Sequence, residues 1–152
     1  MINIVCYVML FIHAMIYASL AMINIFSDVS VLMSYAFIFY VVTIFILILS
    51  LNKSNKFKRL SAFLLIVSHA FMYVCFDPIN ALAYLLFAFY WFIIFLRLQN
   101  QEIILFKKYH WLYKAWPILT LIIMFLTMQD IIVTIVLLGF ETTASVIIAE
   151  SY

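Results

Sequence analysis

The chain is predicted to be an all-α transmembrane bundle of five or six spans, and three observations carry that prediction. Seventy per cent of the 152 residues are apolar and 9% are charged, with a mean hydropathy of +1.28, which leaves too little polar surface to clothe a soluble core of this size. Apolar runs close to the ~20 residues that cross a bilayer follow one another with short polar breaks. All eight Lys and Arg fall in two stretches, Lys53 to Arg59 and Arg97 to Lys114, as expected of loops kept on one membrane face. The whole of 1–152 is therefore expected to be one integral membrane domain. The net charge of +2 is explained by those loops, and no nucleic acid partner is implied.

The first run, Ile4 to Phe26, stops at Ser27-Asp28-Val29-Ser30, a polar cluster suited to a turn. No basic residue precedes it, so it reads as a retained helix and not as a cleaved signal peptide. The second run, Val31 to Leu51, enters the first basic stretch. The third, Leu60 to Phe76, ends at Asp77-Pro78, where proline removes a backbone donor and disfavours helix in the residue before it. The fourth, Ile79 to Leu96, returns to the second basic stretch. Segment 97–114 is expected to lie along the membrane as a short interfacial helix around Ile103 to Phe106. Trp111, Tyr113 and Trp116 are expected to mark the headgroup level.

Beyond Ala115 two readings compete. In one, a short span 115–128 turns at Gln129-Asp130 into a sixth, 131–148; in the other, a single longer span runs on to Leu138. The first buries Glu141 and the second buries Gln129 and Asp130, and an intramembrane acid costs about 3 kcal/mol on insertion scales in either case. Six spans is the preferred reading, because it puts every Asp in an outer turn and every Lys or Arg in an inner loop. The topology places the N-terminus and basic loops on the cytoplasmic side of a bacterial inner membrane, or the matrix side of a mitochondrial one. It also puts Cys6 and Cys75 on opposite sides, which argues against a disulfide between them.

The first and third spans share a pattern, His13-Ala14-Met15-Ile16-Tyr17 and His69-Ala70-Phe71-Met72-Tyr73. The second and fourth share Phe39-Tyr40 with Ile44-Phe45 and Phe89-Tyr90 with Ile94-Phe95. A tandem duplication of a helical hairpin would produce both echoes. Each histidine lies nine residues into its run, about 13 Å along a helix, so both imidazoles are expected at mid-membrane depth with Tyr17 and Tyr73 one turn further on. Paired imidazoles suit axial ligation of a haem b, or quinone or proton chemistry. The alternative is hydrogen bonding between helices as packing glue.

Glu141, with Thr142, Thr143 and Ser145 beside it, forms either an intramembrane polar patch able to relay protons or a frayed, partly exposed C-terminus. Ala14, Ala18 and Ala21 give the first span a narrow face for a close helix neighbour. Lys107, Lys108 and Lys114 are candidates for anionic lipid headgroups. Asp28, Asp77 and Asp130 read as helix-end markers. No HExxH, Walker, GxSxG or Cys-rich metal spacing occurs, so hydrolase, ATPase and zinc-enzyme chemistry has no support and no metal site is expected.

The expected function is a non-catalytic accessory or structural subunit of a larger, hetero-oligomeric membrane complex, contacting other membrane proteins and lipids through helix faces. A redox subunit carrying haem b or quinone at His13 and His69, a bacteriocin-immunity-like protein and a small transporter or flippase are the alternatives. Scarcity of Gly and Pro argues against the last, since transporter cores commonly use broken helices.

Overall fold

The computed structural model describes residues 4–27, 30–76 and 78–152, leaving aside the side chains of residues 78–80. Asp28 and Asp77 lie outside the described residues. The described chain is helical throughout: α1 Ile4–Phe26, α2 Val31–Ser50, α3 Asn55–Cys75, α4 Pro78–Leu98, α5 Ile104–Lys108, α6 Leu112–Met128 and α7 Ile131–Ser151. Five of these, α1 to α4 and α7, are long and apolar enough to cross a membrane, and α6 is apolar but shorter, at 17 residues.

The helices pack in a closed order: α1 on α2, α2 on α3, α3 on α4, α4 on α6, α6 on α7, and α7 back on α1. One end of this ring gathers the basic stretches. There Lys114 pairs with Glu150, Arg97 Nη1 donates to the Ala149 carbonyl at 3.0 Å, Lys58 lies 4.4 Å from the centre of the Tyr152 ring, and Asn52 donates to the Tyr7 hydroxyl. The start of α1 and the end of α7 therefore share that basic end with both Lys-rich segments.

The basic segments are more helical than the sequence led us to expect. α3 begins at Asn55 and carries Lys56, Lys58 and Arg59 in its first turns, because Lys and Arg are good helix formers whose long stems reach outward from a helix end. α4 likewise continues through Arg97 and ends in a left-handed Asn100 (φ 60°), with the Gln101 amide closing back on Leu96 at 2.9 Å. The interfacial segment contains only the five-residue α5, whose Phe106 is buried against Tyr113 and Trp116. Trp111 is exposed, whereas Tyr113 is buried, its ring 4.5 Å from the Arg97 guanidinium. Trp116 is half-buried and donates to the Leu86 carbonyl at 3.0 Å. Tyr113 and Trp116 turn inward because α5 folds over them.

A single helix running through to Leu138 is not formed. α6 ends at Met128, and Gln129 takes the left-handed conformation (φ 54°) with its amide on the Phe125 carbonyl. Such a conformation costs a non-glycine residue roughly 1–2 kcal/mol. Asp130 offsets this by capping α7: its Oδ1 accepts from the amides of Ile132 at 2.9 Å and Val133 at 3.0 Å.

Small and hydroxyl residues line the helix seams. Between α2 and α3 the hydroxyls of Ser50 and Ser61 meet at 2.9 Å, and those of Thr43 and Ser68 at 3.2 Å. On α1, Ala14 and Ala21 are buried, while Ala18 is half-buried in an apolar groove of about 200 Å³ shared with Ile38, Val41 and Val42 of α2.

Candidate functional site

Four helices converge on one carboxylate of a fifth. Glu141 is fully buried on α7, as are His13 of α1, Tyr40 of α2, His69 of α3 and Trp91 of α4. The frayed-terminus reading of Glu141 therefore fails. Its helix packs between α1 and α6, and side chains from α2, α3 and α4 reach it across the bundle.

Hydrogen-bond directions can be assigned from chemistry alone. His69 Nδ1 lies 2.8 Å from the Leu65 carbonyl, which can only accept, so Nδ1 carries a proton. His69 Nε2 lies 3.2 Å from Glu141 Oε2. A contact between those two atoms needs one further proton, held either by the imidazole as an ion pair or by the carboxyl group as a neutral acid. Tyr40 donates its hydroxyl proton to the same Oε2, and its oxygen lies 2.9 Å from His13 Nε2 and 3.4 Å from His69 Nε2. His13 Nε2 is also 3.5 Å from Oε2. Trp91 Nε1 donates to the other oxygen, Oε1, at 3.1 Å. The carboxylate is thus surrounded by donors, the condition under which a buried charge is tolerated.

A second layer sits one turn earlier along α7. Tyr17 donates to the Leu137 carbonyl at 3.0 Å and its oxygen lies 2.6 Å from that of Tyr84. Leu137 belongs to a π-helical turn, Ile135–Gly139, inserted just ahead of Glu141. The scarcity of Gly and Pro therefore does not keep every helix regular. Turns of this kind are rare and are often found at functional sites.

Of the residues singled out in the sequence, His13, His69, Tyr17 and Glu141 are brought together here. Tyr73 is half-buried elsewhere on α3, and Tyr84 takes the place beside Tyr17. Thr142 is buried next to Glu141, and its hydroxyl, like that of Ser145 and like His13 Nδ1, has no hydrogen-bond partner in the protein. Thr143 is exposed and donates to the Gly139 carbonyl at 2.9 Å. Cys6 and Cys75 are both free thiols. Lys107 and Lys108 are exposed at the end of α5, whereas Lys114 is engaged by Glu150. Among the described residues no three His, Cys, Asp or Glu side chains are arranged to hold a metal ion.

Tyr40 and Trp91 were not foreseen as site residues. Tyr40 had a visible signal, since it belongs to the recurring Phe-Tyr pair. Its counterpart Tyr90 also reaches α7, donating to the Ser145 carbonyl at 3.0 Å. Trp91 had none, because a tryptophan inside an apolar run reads as core. No protein-family model, curated protein or solved structure matches the chain.

Proposed function

We propose that the chain is a six-crossing integral membrane protein whose working part is a proton-binding site at Glu141, and that it serves as a non-catalytic accessory subunit of a larger membrane complex. One observation carries the site: a single buried carboxyl oxygen, Glu141 Oε2, sits within 3.5 Å of two imidazole nitrogens and accepts from a tyrosine. That arrangement holds a shared proton with two resting places, His69 Nε2 and Glu141 Oε2. A purely architectural core has no need of it, since replacing a buried ion pair by apolar side chains is often neutral or stabilising by ~1–4 kcal/mol. Intramembrane acids and histidines of this kind mark proton relays.

The topology follows from the shared basic end, which the positive-inside rule assigns to the cytoplasm or matrix. The subunit reading rests on the absence of extramembrane bulk among the described residues and on an apolar exterior. Phe11, Phe45, Leu49, Phe63 and Leu126 are all exposed, as lipid-facing or partner-facing side chains must be. Repetition of the His and Phe-Tyr patterns in α1–α2 and α3–α4 is consistent with an ancestral hairpin duplication placed around α7.

Infrared difference spectra of the protein in proteoliposomes, recorded between acid and alkaline buffer, test the site. The expected result is a carboxylic acid band that is absent from Glu141→Gln; a wild-type protein without it rules out the proton site. Co-purification of a stoichiometric membrane partner in mild detergent tests the subunit half. A small proton-coupled carrier is the second reading, favoured by the π turn beside Glu141, and a partner-free preparation would promote it. Haem b fits less well, because both imidazole Nε2 atoms are directed at Tyr40 and Glu141. A Soret band in native membranes that vanishes in His69→Ala would reverse that judgement.

A further inference from the structure

Taking Glu141 as a proton site, we propose that it exchanges protons with one membrane face only, the basic end, through Thr142, Ser145 and Tyr90 into a polar cleft at the mouth of the bundle. The cleft has a volume of about 430 Å³ and is lined by Arg97, Asn100, Gln101, Glu102, Lys107 and Tyr152. Arg97, one of its lining residues, pairs with Glu102 at 3.2 Å and donates to the Ala149 carbonyl on the last turn of α7. One turn deeper lies Ser145, and one turn deeper again Glu141. Each step is four residues, about 6 Å along the helix. That is the span of two hydrogen bonds through one intervening water.

The hydroxyls on this side are available for such waters. Ser145 Oγ, Thr142 Oγ1 and His13 Nδ1 are buried and unpartnered in the protein, and buried polar atoms of that kind are ordinarily satisfied by ordered water. On the opposite side the groups nearest Glu141 are engaged with one another, and the unpartnered amide of Asn24 lies further out, beside a groove of about 310 Å³ shared with Ser34 and Tyr35. Tyr17 and Tyr84 are committed to each other and to the Leu137 carbonyl, and Thr134 donates to the Asp130 carbonyl at 2.7 Å. Beyond them Phe76 stacks on Tyr84 at 5.4 Å and packs on Phe37 at 6.0 Å, with Leu138 fully buried beside the site.

The titratable groups packed around Glu141 and the turn after it are His13, Tyr17 and Cys6 from α1, the last donating to the Ala144 carbonyl at 3.8 Å, Tyr40 from α2, His69 from α3, and Tyr84 and Tyr90 from α4. α6 contributes only Tyr113 and Lys114, at the basic end beside Glu102 and Glu150. In the proposed exchange a proton passes from water in the cleft to the Glu141–His69 pair, leaving hydroxide in the cleft, and the reverse step returns it. No group other than water is consumed.

The test is a pH jump on oriented proteoliposomes, followed through the Glu141 carboxyl band. With the basic end outward, an external jump should change the band at once; with the basic end inward, only after a protonophore equilibrates the lumen. Thr142→Val combined with Ser145→Ala should slow the response by about tenfold, equivalent to raising the barrier by about 1.4 kcal/mol, and leave its amplitude intact. An equal response from both faces overturns the one-sided path whatever the double variant does, as does an unslowed double variant. A band that never responds to pH condemns instead the proton-site reading beneath it.

Discussion

The two helical hairpins that face α7 deliver matching side chains and hold them differently. In the second hairpin, α3–α4, the His69 ring is fixed from behind by the Leu65 carbonyl at 2.8 Å and stacked on Phe87 at 5.5 Å with an interplanar angle of 15°. In the first, α1–α2, the His13 ring touches Tyr17 at 4.9 Å, is hydrogen-bonded only through Nε2, and leaves Nδ1 without a protein partner. One histidine is oriented by its own helix and the other by the site. The difference gives His69 a ring fixed in one orientation toward Glu141 and His13 a ring held at one nitrogen only, since a ring anchored at both nitrogens cannot turn without losing a bond.

Removing the acceptor that both hairpins share should have the largest effect. Glu141→Ala strips Tyr40, His69 and Trp91 of their common partner and is expected to destabilise the fold by about 3–5 kcal/mol, read from unfolding in mixed micelles. A loss under 1 kcal/mol would mean that the hairpins are held by apolar packing alone.

The asymmetry itself is exposed by comparing the histidines. His69→Ala loses the stacked ring, the Leu65 bond and the Glu141 contact, for about 2–4 kcal/mol, and His13→Ala should cost roughly half as much. Equal costs would erase the distinction drawn between the hairpins. Nitrogen NMR of the labelled imidazoles sharpens the comparison, with a proton expected on His69 Nδ1 whatever the state of Glu141.

The smallest effect concerns the looseness of the first hairpin. Ala14→Leu forces a large side chain into a filled seam and should destabilise by about 1–3 kcal/mol, whereas Ala18→Leu enters the groove beside Ile38 and Val42 and should cost well under that. If Ala18→Leu proved as damaging as Ala14→Leu, the groove would have to close on folding in the membrane.

Much of this architecture is legible in the sequence, because hydropathy and charge segregation act over whole helices. The long apolar runs, the turn at Gln129-Asp130 and the equal depth of His13 and His69 are all properties of that scale. Helix extends past the apolar runs at Lys56 and Arg97, since charge marks where a chain leaves the hydrocarbon and says little about where helix stops. The site was half legible. His13, His69 and Glu141 stand out as rare ionisable groups in apolar sequence, while Tyr40 and Trp91 owe their roles to the rotation of α2 and α4 about their axes. In sequence this apolar throughout, no periodicity distinguishes the inward face from the outward one. The π turn was invisible for a related reason: Ile135 to Gly139 carries nothing that disfavours an ordinary α-helical path.

That π turn determines the helical phase of everything after it. Each residue of a regular helix advances about 100° around the axis. Five residues, Ile135–Gly139, here occupy a wider turn, so the segment from Phe140 onward is rotated relative to an uninterrupted helix. Tightening the turn into the common form with all five residues kept would swing Glu141 by about that angle, away from His13, His69 and Tyr40, whereas deleting one of the five would leave its aim nearly unchanged, because four residues of a regular helix turn about as far as five in the wider turn. The aim of the carboxylate is therefore set by that turn keeping its wider form over five residues.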